Sequence, residues 1–162
     1  MTIDVGDRLP EATFLKIGPE GPQQVTLADL IGTGKAVIFG LPGAYTGTCT
    51  TAHVPSFIRT MGRFQEKGVD KVICVAVNDP FVMNAWANET GAKAAGIEMA
   101  ADASGEFTRA IGMDFTAPPA GFYGRSRRYS MYVENRTVRI LNAEESPGMC
   151  ETSAGETLVE QL

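Results

Sequence analysis

Along this chain, short unbroken apolar runs alternate with stretches in which apolar residues return every three or four positions. The first pattern predicts strands covered on both faces, and the second predicts helices with one face in a core. Ala36 to Leu41 and Lys71 to Val77 are runs of the first kind. Between them Val54, Phe57, Ile58, Met61 and Phe64 recur at helical spacing, and Pro55 in the same stretch predicts a kink or an easily loosened first turn. Asn78-Asp79-Pro80 opens the next helix, with Asp79 as N-cap and Pro80 at the first helical position. A short strand around Ile97 to Ala100 follows, then a helix from about Ser104 to Ile111 that Gly112 stops. Near the start, Ala12 to Ile17 and Gln23 to Leu27 flank the turn Gly18 to Pro22, and read as two strands added to a sheet edge. Asp114 to Arg127, with Pro118-Pro119 and Gly121, reads as a long loop. Tyr129 to Val133 and Thr137 to Leu141 form a hairpin over Glu134-Asn135-Arg136, in which Asn135 suits a left-handed turn position. Ser153-Ala-Gly-Glu156 has the spacing of a capping box opening a last helix to Leu162.

Parallel strand and helix units followed by an antiparallel hairpin and a closing helix make an α/β chain. That is the order of a thioredoxin fold with an N-terminal strand extension and insertions, a mixed central sheet flanked by helices. With 162 residues, 44% of them hydrophobic, residues 1–162 are expected to form a single domain. The net charge of −5 is spread along the chain, and no basic run extends beyond Arg125 to Arg128, so no nucleic-acid partner is expected. The amino terminus carries acids where a targeting peptide needs bases, and no apolar run reaches membrane-spanning length. A cytoplasmic protein without a membrane partner is the resulting expectation. Three widely spaced cysteines and a single histidine form neither a disulfide framework nor a zinc site by spacing, which points to intracellular thiol chemistry with no metal and no cofactor.

The candidate chemistry sits where the first buried strand gives way to a helix, at Pro42-Gly-Ala-Tyr-Thr46-Gly-Thr-Cys49. A cysteine in a first helical turn faces unpaired backbone N–H groups and the positive end of the helix dipole, which favour the thiolate. Thr46 stands three residues upstream, placed to hydrogen-bond the sulfur or the oxygen that it attacks. An isolated cysteine at a helix start is more often structural, so the surrounding motif decides the matter.

The run Pro42 to Pro55 closely resembles the peroxidatic-cysteine signature of the peroxiredoxins: a proline, a threonine four residues on, a cysteine three further. The flanking His53-Val-Pro55, the run Val77 to Met83, and Ser126-Arg-Arg128-Tyr-Ser-Met131 are similar to the peroxiredoxin-5, or type II, subfamily. Gly47 departs from the proline that many relatives carry there, a change that loosens the loop and removes no functional group. The resemblance implies a thiol peroxidase for hydrogen peroxide and small alkyl hydroperoxides that works through a sulfenic acid on Cys49. It assigns Arg128 as a fixed cation beside the sulfur, Thr46 and the Cys49 N–H as donors to the peroxide, and Pro42 as a shield against water. It also implies a homodimer, and a glutathione, glutaredoxin or thioredoxin reductant.

The thiol that resolves the sulfenic acid stays open between Cys74, Cys150 and an external donor. Cys74 alternates with Val72 and Ala76 in a buried strand, and an inert core residue is the favoured reading of it. His53 shares a helix face with Cys49 and is expected to be a hydrogen-bonded neighbour of the site rather than a proton shuttle. Arg125 and Arg127 are expected to be solvated charges, and Trp86 and Phe81 core or dimer contacts. Two rival functions remain: a thiol-disulfide oxidoreductase, which Thr46-Gly-Thr-Cys49 disfavours for want of a second cysteine, and a peroxide-sensing redox switch.

Overall fold

The computed structural model describes residues 2–146 and 148–162; Met1, where the single-domain reading begins, lies outside the described residues. A seven-stranded sheet forms the centre, in the order β2-β1-β5-β4-β3-β8-β9. Its middle is β3 (Lys35–Gly40), parallel to β4 (Lys71–Ala76), which is parallel to β5 (Glu98–Ala101). These are the continuously apolar runs, and both of their faces are covered. Val37, Phe39 and Cys74 join one core with Val54, Phe57, Phe64 and Trp86, while Ile38, Ile73 and Val75 join the other with Phe14, Phe107 and Met131. At one edge β1 (Thr13–Gly18) and β2 (Gly21–Thr26) form the expected added hairpin, ahead of the short α1 (Leu27–Ile31).

The helix after β3 begins irregularly. Cys49–His53 is a π-turn that runs into α2 (Val54–Glu66), and the Val54 N–H donates to the Cys49 carbonyl, five residues back. Pro55 has no N–H to donate to this turn, and in an ordinary α-turn its ring would crowd the carbonyl four residues back, a clash that favours a wider turn here. The predicted kink therefore takes the form of an expanded first turn. α3 (Pro80–Thr90) starts as expected, with the Asp79 carboxylate accepting from the Val82 N–H at 2.9 Å. α4 (Glu106–Ala110) is shorter than its sequence pattern suggested.

Two expectations are overturned. Residues 114–127 are not a loop: β6 (Asp114–Ala117) and β7 (Phe122–Ser126) pair as a separate hairpin, closed by Phe115 against Phe122 with ring centroids 5.9 Å apart. Pro118 and Pro119 lie in the connection, a 3-10 turn over Pro118–Ala120, so they break neither strand. The last helix, α5 (Gly155–Glu160), has Ala154 at its N-cap, and no side chain caps it. The Ser153 hydroxyl instead donates to a buried carboxylate, Glu144, at 2.6 Å, a charge-assisted bond that holds it away from the helix N–H groups. β8 (Tyr129–Glu134) and β9 (Thr137–Ala143) meet at a two-residue turn in which Asn135 and Arg136 both have positive φ, 48° and 61°.

Candidate active site

β3 delivers the chain to Leu41 and Pro42, both buried, and the next residues turn back sharply. Tyr45 has φ of 65°, a left-handed conformation that bulky residues avoid. Two side chains from elsewhere hold the turn. Asn78 Oδ1 accepts from the Ala44 N–H at 2.9 Å, and Arg125 Nη1 donates to the Pro42 carbonyl at 3.0 Å. Arg125 also lies over the Phe122 ring, 5.6 Å from its centroid, so it is no solvated charge: the β6/β7 hairpin uses it to brace the loop. Nothing local in the sequence marks it, because its partner is a backbone carbonyl 83 residues away.

Thr46 Oγ1 donates to the Gly43 carbonyl at 2.7 Å. Its one proton is thereby committed, and what the hydroxyl offers a neighbour is its lone pairs. Cys49 follows at the start of the π-turn with none of its surface exposed. Arg128, 2% exposed, stands directly before β8 and reaches the sulfur: Nη2 donates to Cys49 Sγ at 3.2 Å. Its Nη1 lies 3.0 Å from His53 Nδ1. A guanidinium can only donate, so Nδ1 must accept, and the ring proton sits on Nε2, which faces the Ser153 carbonyl at 3.1 Å. Burial, then the Arg128 charge, lower the pKa of His53 to about 3, against a slight upward pull from Ser153. The ring is thus neutral, packed between Phe39 and Phe57 at centroid distances of 5.1 and 5.6 Å, and acts as a fixed acceptor for Arg128.

The other two cysteines differ in setting. Cys74 is fully buried on β4, opposite Phe39 of β3; burial and then the nearby Cys49 push its thiol well up, with Arg128 partly offsetting them. Cys150 is half-buried in the segment before α5, and burial pushes its thiol up as well. All three are free thiols. Arg127 is half-buried beside Glu144 and Glu145 around a small cavity of about 130 Å³. Trp86 is buried, and its Nε1 donates to Thr50 Oγ1 at 3.1 Å, whereas Phe81 is 63% exposed. The sequence brought Cys49, Thr46, Pro42 and His53 into view as one local run. Asn78, Arg125, Glu144 and Ser153, which hold that run in place, carry no comparable signal.

Comparison with known proteins agrees with this geometry. The Redoxin family model matches residues 4–158. Peroxiredoxin-2E-2, chloroplastic, from rice is 43% identical over 161 residues, covering 97% of this chain and 72% of the relative. Peroxiredoxin-2F, mitochondrial, from Arabidopsis thaliana is 45% identical over 136 residues, covering 84% and 67%. Among solved structures, reduced Prx3 from Vibrio vulnificus in complex with hydrogen peroxide superposes with a TM-score of 0.90 at 38% identity, covering 99% of each chain. Peroxiredoxin 5 from Alvinella pompejana superposes with a TM-score of 0.84 at 30% identity, covering 98% and 96%. A cysteine under an arginine at the head of a thioredoxin-fold helix, with relatives of this kind along its whole length, makes the chain a member of the peroxiredoxins, the thiol-dependent peroxidases.

Proposed function

We propose that Cys49 is the peroxidatic nucleophile and that Arg128, Thr46 and Pro42 form its catalytic surroundings. What carries this reading is the 3.2 Å contact from Arg128 Nη2 to Cys49 Sγ, which puts a permanent cation at the one cysteine heading a helix. The sulfur anion attacks one peroxide oxygen, a new S–O bond forms as the O–O bond breaks, and the departing oxygen takes up a proton to leave as water or an alcohol. Sulfur loses two electrons and becomes a sulfenic acid. Negative charge moves from sulfur to the leaving oxygen, and the Arg128 cation, with Nη2 beside the sulfur, stabilises that charge through the transfer. The Thr46 lone pairs are free to accept a hydrogen bond from the peroxide, and buried Pro42 keeps water away. Cys49 has no accessible surface, so the loop must open for a peroxide to reach it, which favours hydrogen peroxide and small alkyl hydroperoxides as substrates.

The sulfenic acid is resolved by an external thiol, glutathione with glutaredoxin or else thioredoxin. Support comes from Cys74, which is locked in the central sheet, and from Cys150, whose segment is tied down by several hydrogen bonds. A disulfide needs Cα atoms within about 7 Å, so either internal route requires part of the fold to open. Residues 1–162 act as one domain in a reducing compartment such as the cytoplasm, a location that three free thiols favour, although the rice and Arabidopsis relatives are named for chloroplasts and mitochondria. Among the described residues no helix is long and apolar enough to cross a membrane. Exposed Tyr45, Phe81 and Tyr123 lie on the mutually braced 42–46, 78–81 and 122–125 segments, a surface suited to a homodimer.

The test is steady-state hydrogen peroxide consumption by the wild type, Cys49→Ser, Cys74→Ser and Cys150→Ser, with each donor system. Cys49→Ser is expected to be inactive and the other two to keep full activity with glutathione and glutaredoxin. Turnover by Cys49→Ser at the wild-type rate refutes the assignment, and loss in one of the others names an internal resolving cysteine. A single oxidation without turnover favours the redox switch, and action on disulfides without peroxide favours the oxidoreductase.

A further inference from the structure

Residues 148–156 lie along the helix that carries Cys49. Thr48 Oγ1 donates to the Gly148 carbonyl at 3.2 Å, His53 Nε2 to the Ser153 carbonyl at 3.1 Å, and the Gly155 N–H to Ser56 Oγ at 3.0 Å. Arg59 pairs with Glu156 at 2.7 Å. These contacts run from the π-turn into α2 and make the segment a strap over the peroxidatic turn. One group anchors it. Glu144, directly after β9 and 4% exposed, takes three donors on a single oxygen: the Glu151 N–H at 2.9 Å, the Ser153 N–H at 2.6 Å and Ser153 Oγ at 2.6 Å. Burial alone would push this carboxyl up, but the donors from Ser153, Glu151 and Thr152 outweigh it and hold it below its usual range. At its other end, the Glu144 N–H donates to the Arg128 carbonyl at 2.9 Å.

We propose that Glu144 is a positioning residue for peroxide reduction: it fixes the Ser153 carbonyl, which orients the His53 ring, which in turn holds the Arg128 guanidinium on Cys49 Sγ. Each link is directional. The Ser153 N–H and hydroxyl both point at Glu144, and the next peptide plane, which presents the Ser153 carbonyl, is held by the Ala154 N–H donating at 3.3 Å to the carbonyl of Glu151, a residue whose own N–H is fixed on the same carboxylate. That carbonyl selects the Nε2–H form of His53, and only this form leaves an Nδ1 lone pair for Arg128. Loss of the anchor removes the acceptor that pins Nε2–H, so the ring can turn away from the guanidinium, and once Nδ1 has left Arg128 its two tautomers average. The peroxide step then slows although neither Cys49 nor Arg128 has changed.

The inference rests on the peroxidase reading of Cys49 and Arg128. Its test uses the chain's single tryptophan and single histidine as reporters. Trp86 donates to Thr50 beside Cys49, so its fluorescence follows oxidation of Cys49 by hydrogen peroxide in a stopped-flow mixer without any reductant. The ¹⁵N spectrum of histidine-labelled protein reports the His53 tautomer directly. Glu144→Ala is expected to lower the second-order rate constant at least ten-fold and to move the His53 signals from the Nε2–H pattern to a tautomer average. Glu144→Gln keeps a carbonyl oxygen within reach of the same donors and is expected to restore most of the rate and the wild-type pattern. Glu144→Asp retains charge but withdraws the oxygen by about 1.5 Å, one carbon–carbon bond, and serves if the alanine variant does not fold; a loss of three-fold or more with a shifted His53 pattern is expected. A wild-type rate in the alanine or aspartate variant, or a slow rate with an unchanged His53 pattern, overturns the proposal. A fluorescence change that persists in Cys49→Ser instead overturns the peroxidase reading on which it stands.

Discussion

His53 shows how one side chain ties the site to the stability of the fold. Its folded-state pKa is about 3, against 6.5 for an ordinary imidazole, because charging it means placing a cation in a dry pocket beside Arg128. Between those two values the unfolded chain binds a proton that the folded chain refuses, so stability rises with pH across this window and is lost as pH falls through it. One such group contributes a slope of up to about 1.4 kcal/mol per pH unit. Urea denaturation at intervals from pH 7 to pH 4 is expected to show this loss, and His53→Gln, which cannot titrate, to show a slope shallower by about one proton. Equal slopes in the two proteins would mean that His53 is protonated in the folded state. At this scale the sequence was informative about type and place: the Thr46-x-x-Cys49 spacing and His53 four residues on do meet at one helix start. It was misleading about Arg125 and Ser153, whose partners lie in other elements.

At the scale of elements, local pattern and local chemistry mostly agree. The unbroken apolar runs became the parallel centre of the sheet, and Asp79-Pro80 started a helix as its chemistry demands. The exceptions have physical causes. Pro118-Pro119 look like breakers, yet a hairpin tolerates prolines in its turn, and the alternation of β6 and β7 was too short to outweigh them. The apparent capping box failed because α5 is seated by packing. At Gly155 a Cβ would come within 2.5 Å of Thr60 Oγ1 and 2.6 Å of the Ser56 carbonyl oxygen. Glycine therefore lets the strap lie directly against the backbone of α2. Gly155→Ala is expected to cost about 1–3 kcal/mol by overpacking, read from the denaturant midpoint. It should also loosen the contacts from Ser56 and Arg59 to the strap; an unchanged midpoint would mean that α5 is free to move away.

For the whole molecule, the strand order brings distant segments together: β3 leads into the Cys49 loop, its antiparallel neighbour β8 is preceded by Arg128, and β9 is followed by Glu144. The exposed aromatics Tyr45, Phe81 and Tyr123 belong to segments that brace that loop. If they form a homodimer surface, sedimentation should find the wild type dimeric and Phe81→Asp monomeric, since burying an unpaired carboxylate in an apolar contact is strongly unfavourable. A wild type that sediments as a monomer at every concentration removes the dimer.

The amino-acid pattern was enough for the α/β class, the strand-to-helix junction and the placing of Cys49 with Thr46 and Pro42 at that junction, since each depends on apolar period, turn chemistry or spacing within about fifteen residues. The arginine's identity rested on a motif, but its contact with a sulfur 79 residues away exists only because β3 and β8 are neighbours. Whether Ser153 caps its own helix or answers a buried glutamate was likewise a competition between a near partner and a distant one. Such competitions are settled by which groups the packed chain shuts away from water, and only the tertiary structure contains that information.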